Sequence, residues 1–163
     1  MKILYQGSPG AYSNLAALEV YPKAEIVACN TFDECFKLAA EDDQIRIIIP
    51  ESNRITGNIG VEYLIFKYRL NIYAEHFHPI EHCLLGIPNS KVEDIKNVFS
   101  HAQALSQSSN FIKKNKLVAN VRADTAGSAA YISKNKKKND AAIASRLSAK
   151  IYNLDVIKSN IEN

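Results

Sequence analysis

The chain of 163 residues is 47% hydrophobic and 23% charged, the composition of a folded globular protein rather than a disordered or fibrous one. Twenty basic and seventeen acidic side chains leave a formal charge of +3, too small a surplus to point to nucleic acid. The longest apolar runs, 47–50 and 83–88, fall far short of the roughly 20 residues of a membrane-spanning helix.

Residues 1–7 hold an apolar stretch too short for a signal peptide and read as a first strand over 2–6. Gly7-Ser8-Pro9-Gly10 is a turn whose glycines free the backbone for tight geometry. A helix follows from Ser13, the expected N-cap, to Tyr21, where Pro22 stops it. Residues 25–29 form the second strand, and Thr31-Phe32-Asp33-Glu34 is a capping box opening the next helix. The third strand, 45–49, is almost wholly apolar, as strands covered on both faces are, and runs into the polar loop 50–57. A helix over 59–68 leads to strands 71–77 and 82–87. Ser100-His101-Ala102-Gln103 is a second capping box, heading a helix that ends in the basic stretch 113–116. Then come a strand over 117–121, a helix from Asp124-Thr125-Ala126-Gly127, a strand over 141–144, a helix over 146–152 and a last strand at 156–157. The charge run 134–139 reads as a solvated loop.

This alternation argues for an α/β protein with parallel sheet and crossover helices. Strands 71–87 divide it into two small lobes around a cleft: 1–82 first, with 154–163 available to return to it, and 83–153 second. Three cysteines, Cys29, Cys35 and Cys83, form no Cys-x-x-Cys pair and read as buried apolar side chains of a reducing compartment. His76 and His78 share a face if extended, but no third ligand stands at a diagnostic spacing, so no metal site is read there. The glycine turn is neither a Walker loop nor a dinucleotide fingerprint. What remains are three helix starts rich in small and hydroxyl residues, near Gly10 to Ser13, Ser100 to Gln103 and Asp124 to Ser128, together with the Asn53 loop. Helix amino ends carry free N–H groups, so together they suit a small anion.

Several of these segments resemble, in order, the catalytic region of prephenate dehydratases. Gly7-Ser8-Pro9-Gly10-Ala11-Tyr12-Ser13 with Ala16-Ala17 is similar to the family's Gly-Pro-x-Gly-Thr-Phe-Ser and Ala-Ala. Pro50, Asn53 and Gly57 fall on Pro-Ile-Glu-Asn-Ser-x-x-Gly; Glu75 and His82-Cys83-Leu84-Leu85 fit a Glu before His-x-Leu-Leu. Ser100-His101-Ala102-Gln103-Ala104-Leu105-Ser106-Gln107 is close to Ser-His-Pro-Gln-Ala-Leu-x-Gln, and Asp124-Thr125-Ala126 with Ala129-Ala130 fits the next segment. Ala141-Ala142-Ile143-Ala144, Tyr152-x-Leu154 and Ile161-Glu162 complete the order.

The resemblance implies a fold like type II periplasmic binding proteins and a cytoplasmic homodimeric lyase that converts prephenate to phenylpyruvate, water and carbon dioxide in phenylalanine biosynthesis. It implies no cofactor and no metal, no nucleic acid and no membrane. Ser100, Gln107 and Thr125 are the expected catalytic residues, with Gly10, Ser13, Asn53, Arg54 and Ala126 holding substrate. Gln107→Ala is then expected to weaken ligand binding with little effect on the melting of the ligand-free chain. Aligned without gaps, Ser52 and Arg54 replace the family's Glu and Ser, and the residues stop at Asn163, before the Asn-x-Thr-Arg-Phe segment and the ACT domain of the family. Binding is therefore expected to survive better than turnover; the alternative reading is a catalytically weak or inactive binding module for prephenate or an aromatic acid.

Overall fold

The computed structural model describes residues 1–53 and 57–163, and of Asn53 the backbone alone. The chain divides into two units, residues 1–8 with 12–78 and residues 9–11 with 79–163.

In the first unit, strands β1 (Lys2–Gln6), β2 (Glu25–Cys29) and β3 (Ile45–Ile47) form a parallel sheet in the order β2-β1-β3. Helices α1 (Tyr12–Val20) and α2 (Phe32–Glu41) are the crossovers that parallel pairing requires. The capping box at α2 forms: Thr31 accepts from the Glu34 N–H at 3.1 Å, while the Glu34 carboxylate reaches one residue further back, to the Asn30 N–H at 2.8 Å. Leu4, Cys29 and Cys35 make a small core with Val27, Ile45, Ile47 and Ile49 against it. A short hairpin, β4 (Ser52–Asn53) with β5 (Gly57–Asn58), precedes α3 (Glu62–Tyr68). That helix starts three residues later than its apolar pattern predicts, because Gly60 sits at φ +79°, outside helical geometry. The strand expected over 71–77 is absent: all seven residues are exposed and lie in no sheet. Alternation gives a segment two faces, but a strand also needs a neighbour for its N–H and C=O groups.

The second unit is a five-stranded mixed sheet in the order β10-β6-β9-β7-β8. Its strands are β6 (Cys83–Gly86), β7 (Asn97–Ser100), β8 (Val118–Val121), β9 (Asp140–Ala144) and β10 (Asp155–Lys158). β7 runs parallel to β8 and β9, whereas β6 is antiparallel to β9 and β10. Successive side chains on a strand point to opposite faces, and the core divides accordingly. Leu84, Val98, Ala141 and Ile143 meet Leu105, Ile112 and Ile161 on one face. Cys83, Leu85, Ala142 and Ala144 meet Ala129, Ile132 and Ala149 on the other. Helices α4 (Ala102–Gln107) and α5 (Ser109–Lys114) thus cover one side, α6 (Thr125–Asn135) and α7 (Arg146–Tyr152) the other.

Three boundary expectations change, the first being that residues 79–82 belong to the second unit rather than closing the first. The tail 154–163 belongs to the second unit, because β10 pairs along β6 and Ile161 enters the second unit's core. The turn residues Pro9 to Ala11 also belong there, since the Gly10 carbonyl accepts from Ser145 Oγ at 2.6 Å and Ser148 Oγ at 3.0 Å.

Candidate functional site

Three parallel strands of the second sheet each end at a helix start, and these starts share one edge: β7 leads to α4, β8 to α6 and β9 to α7. The antiparallel β6 begins at the same edge, Cys83 lying opposite Ala144, so His82 is placed there too. In open α/β sheets the carboxyl edge of the strands is where ligands gather. Helix α4 has six residues and α7 seven, so only α6, with eleven, is long enough for a substantial dipole at its amino end.

Gly10, Ser100, Gln107, Thr125 and Ala126 all belong to this unit. Ser100 is the last residue of β7 rather than the cap of a helix; His101 is the N-cap of α4, its Nδ1 accepting from the Gln103 N–H at 3.3 Å. Ser100 and Gln107 therefore lie on different elements, the one on β7 and the other on α4. Ser100 is fully buried and its hydroxyl donates to the Ile143 carbonyl at 2.6 Å. As placed, it ties β7 to β9 and aims no proton outward.

Gln107, also buried, meets His82 across the unit: His82 Nε2 donates to Gln107 Oε1 at 2.8 Å. The His82 backbone N–H donates to the Glu162 carboxylate at 2.8 Å, and the Asn163 N–H to the Gln107 carbonyl at 2.6 Å. His82 and Gln107 thus hold the tail against the sheet edge. Burial pushes the His82 pKa below its ordinary value, against the opposing pull of Gln107 and the Glu162 carboxylate.

Thr125 is half-buried at the first turn of α6, and Ala126 is fully buried behind it. Asp124 caps that helix, accepting from the Gly127 N–H at 2.5 Å. A Cβ at Gly127 would lie 2.6 Å from the Asp124 carboxylate, which would have to shift to make room for it. Gly10 takes φ +94°, and an added Cβ would meet Ser148 Oγ at 2.5 Å. Ser145, the N-cap of α7, accepts from the Ser148 N–H at 3.1 Å while donating to Gly10.

Ser13 and Asn53 lie in the first unit. Ser13 is inside α1, which starts at Tyr12, so it is not the cap the sequence indicates. Asn53 is in the β4 strand, and Arg54 lies outside the described residues. Burial raises the pKa of all three cysteine thiols, which argues against a cysteine nucleophile. The partners that sequence reasoning missed, Ser145, Ser148, Glu162 and the pairing of His82 with Gln107, are separated in sequence from what they hold by as many as 138 residues. The local trace is the pair of serines three apart, Ser145 and Ser148, at a helix start.

The α/β fold of this chain is shared with solved structures. The model of the family described as prephenate dehydratase matches residues 3–163. The chain belongs to the prephenate dehydratase family. Arogenate dehydratase 2 of Petunia hybrida is 40% identical, and arogenate dehydratase/prephenate dehydratase 1, chloroplastic, of Arabidopsis thaliana is 39% identical, each over the full chain and 42% of the relative. The chain thus spans less than half the length of these curated relatives. Among solved structures, the prephenate dehydratase of Staphylococcus aureus subsp. aureus Mu50 is 26% identical with a TM-score of 0.86, over 100% of this chain and 61% of that one. A structure described as GqqA, a novel type of quorum quenching acylase, is 33% identical with a TM-score of 0.92, over 100% of this chain and 60% of that one.

Proposed function

We propose that the chain carries a prephenate dehydratase site, a carbon–oxygen lyase of phenylalanine biosynthesis whose products are phenylpyruvate, water and carbon dioxide. The observation that carries this reading is the family match over residues 3–163, and the sheet edge of the second unit supplies fitting chemistry. In this reaction the bond from the ring to its carboxylate breaks, its electron pair completes the aromatic ring, and the ring hydroxyl leaves with a proton as water. Electrons are conserved within the substrate, so no redox cofactor is required. The protein's tasks are to hold the carboxylates and to supply a proton to the departing hydroxyl.

The amino end of α6 suits the first task and the half-buried Thr125 hydroxyl the second. Ser100 and Gln107 act as positioning residues, the one fixing β7 to β9 and the other fixing His82. Asn53 and Arg54 are assigned to substrate on family resemblance alone. The same reading makes the protein a homodimer, and the three buried unpaired cysteines suit the reducing cytoplasm.

The test is phenylpyruvate release by the purified chain supplied with prephenate, with arogenate in parallel because the plant relatives carry that name. Product formation that falls in Thr125→Val supports the reading. A melting point raised by prephenate without product makes the chain a binding module instead, and neither effect overturns both. Sedimentation of the same sample decides the dimer.

A further inference from the structure

The fold brings together a trio that the sequence spacing does not show. Glu19 lies on the outer part of α1, and His76 and His78 lie in the irregular segment that follows α3, all within the first unit. His76 Nε2 stands 3.0 Å and His78 Nδ1 2.9 Å from the same oxygen, Glu19 Oε2. One ligand atom from each residue lies within 4.8 Å of the others.

We propose that Glu19, His76 and His78 form a binding site for a divalent transition metal of the zinc class. Two imidazole nitrogens and one carboxylate oxygen are a donor set that zinc takes readily, whereas magnesium and calcium prefer oxygen alone. With metal–ligand bonds of about 2.0–2.1 Å, tetrahedral placement separates ligand atoms by about 3.3–3.4 Å. The two observed separations need to open by only a few tenths of an ångström, and the histidines sit on a segment without regular hydrogen bonding that can move that far. Residues two apart on extended chain project to one side, which is why both rings reach the same carboxylate. The carboxylate is already held ionised, its pKa lowered chiefly by the hydrogen bonds from His76 and then His78. Exposures of 36% for the His76, 48% for the Glu19 and 12% for the His78 side chain leave the fourth position open to water. Bound metal would replace the two ring protons that now bridge to Glu19 and would fasten the 69–80 segment to α1.

The experiment is a zinc titration by calorimetry on the metal-stripped, tag-free chain, with magnesium as control. One equivalent of zinc and no magnesium are expected. Glu19→Gln, His76→Gln and His78→Gln should each weaken zinc by more than about 100-fold, beyond what loss of an outer partner usually costs, while their melting in chelator stays near that of the parent. Cobalt loaded into the unaltered chain should show the intense visible bands of four-coordination, a readout independent of how the variants fold. The absence of stoichiometric zinc, binding undiminished in the His76→Gln/His78→Gln double variant, or binding lost instead in His101→Gln would each overturn the proposal.

Discussion

Replacing Gln107 by alanine tests the placement of the second unit's tail most directly. The substitution removes the acceptor of a 2.8 Å hydrogen bond from His82, whose residue is only 2% exposed. A buried donor left without its partner costs about 1–3 kcal/mol, which for a chain of this size lowers the melting temperature by roughly 2–12 °C. This reverses the expectation from sequence, in which Gln107 is a catalytic residue whose loss weakens ligand binding and leaves melting nearly unchanged. The pH dependence adds a second signature. The folded pKa of His82 lies below its ordinary 6.5, so on acidification the unfolded chain takes up the proton first. Stability is therefore complete above about 6.5 and declines as the pH falls from there toward the folded pKa. Gln107 opposes the depression; removing it widens the window and steepens the loss. Urea denaturation at pH 7.5 and pH 5.5 measures both effects. A double-mutant cycle with His82→Leu and Gln107→Leu should recover much of the loss, since apolar replacement of both partners leaves nothing unsatisfied. Melting within ~1 °C of the parent in Gln107→Ala, with the same pH slope, would refute the reasoning.

Gly10→Ala should destabilise by about 1–3 kcal/mol, because it combines left-handed backbone with a contact of 2.5 Å to Ser148 Oγ; thermal melting checks it, and an unchanged transition contradicts it. Ser145→Ala should cost about 0.5–2 kcal/mol as a lost N-cap, and more if its donation to the Gly10 carbonyl also counts, measured by the same melts. Thr125→Val and Ser100→Ala should separate activity from stability. The first is expected to lower kcat/KM roughly 10²- to 10⁴-fold, the usual worth of a general acid, with melting hardly changed. The second should lower melting, by removing the buried hydrogen bond from Ser100 to the Ile143 carbonyl, with the residual folded protein retaining most of its kcat.

The elements legible in the sequence are those whose signals are local. The apolar runs at 45–49 and 141–144 and the Thr31–Glu34 box each carry their own evidence, and each appears near its expected place. Residues 71–77 carry the same alternation and fail, because pairing depends on a neighbour that the segment itself cannot specify. The Ser100 helix start fails for a related reason. Ser100 and His101 are both able to cap, and the choice is made by register: Ser100 pairs with Val121, which extends β7 by one residue and passes the cap to His101. That Ser100, Gln107, Thr125 and Ala126 belong to one lobe was legible in the sequence; that Gly10, His82 and the 154–163 tail join them was not. What each side chain does there was not, because His82 with Gln107 and Gly10 with Ser145 meet only after the sheet has formed.

The polar groups at that sheet edge fall into two kinds, and the distinction bears on where a proton can come from. Ser100, Ser145 and Ser148 donate to main-chain carbonyls, and Gln107 accepts from a buried ring. Turning any of these toward a ligand strands a partner in the interior, at about 1–3 kcal/mol, before any chemistry begins. Such groups fix the geometry of the edge and are poor proton donors. Thr125 stands at the half-buried first turn of α6, where the helix's own N–H groups lack internal partners and the Asp124 cap engages only that of Gly127. An anion placed there meets N–H donors and a hydroxyl together, with the Asp124 carboxylate close by. That carboxylate repels a second anion at the same helix end, so under the proposed function it bears on how a substrate carboxylate would lie there. The cap thus acts on orientation as well as on the helix it starts.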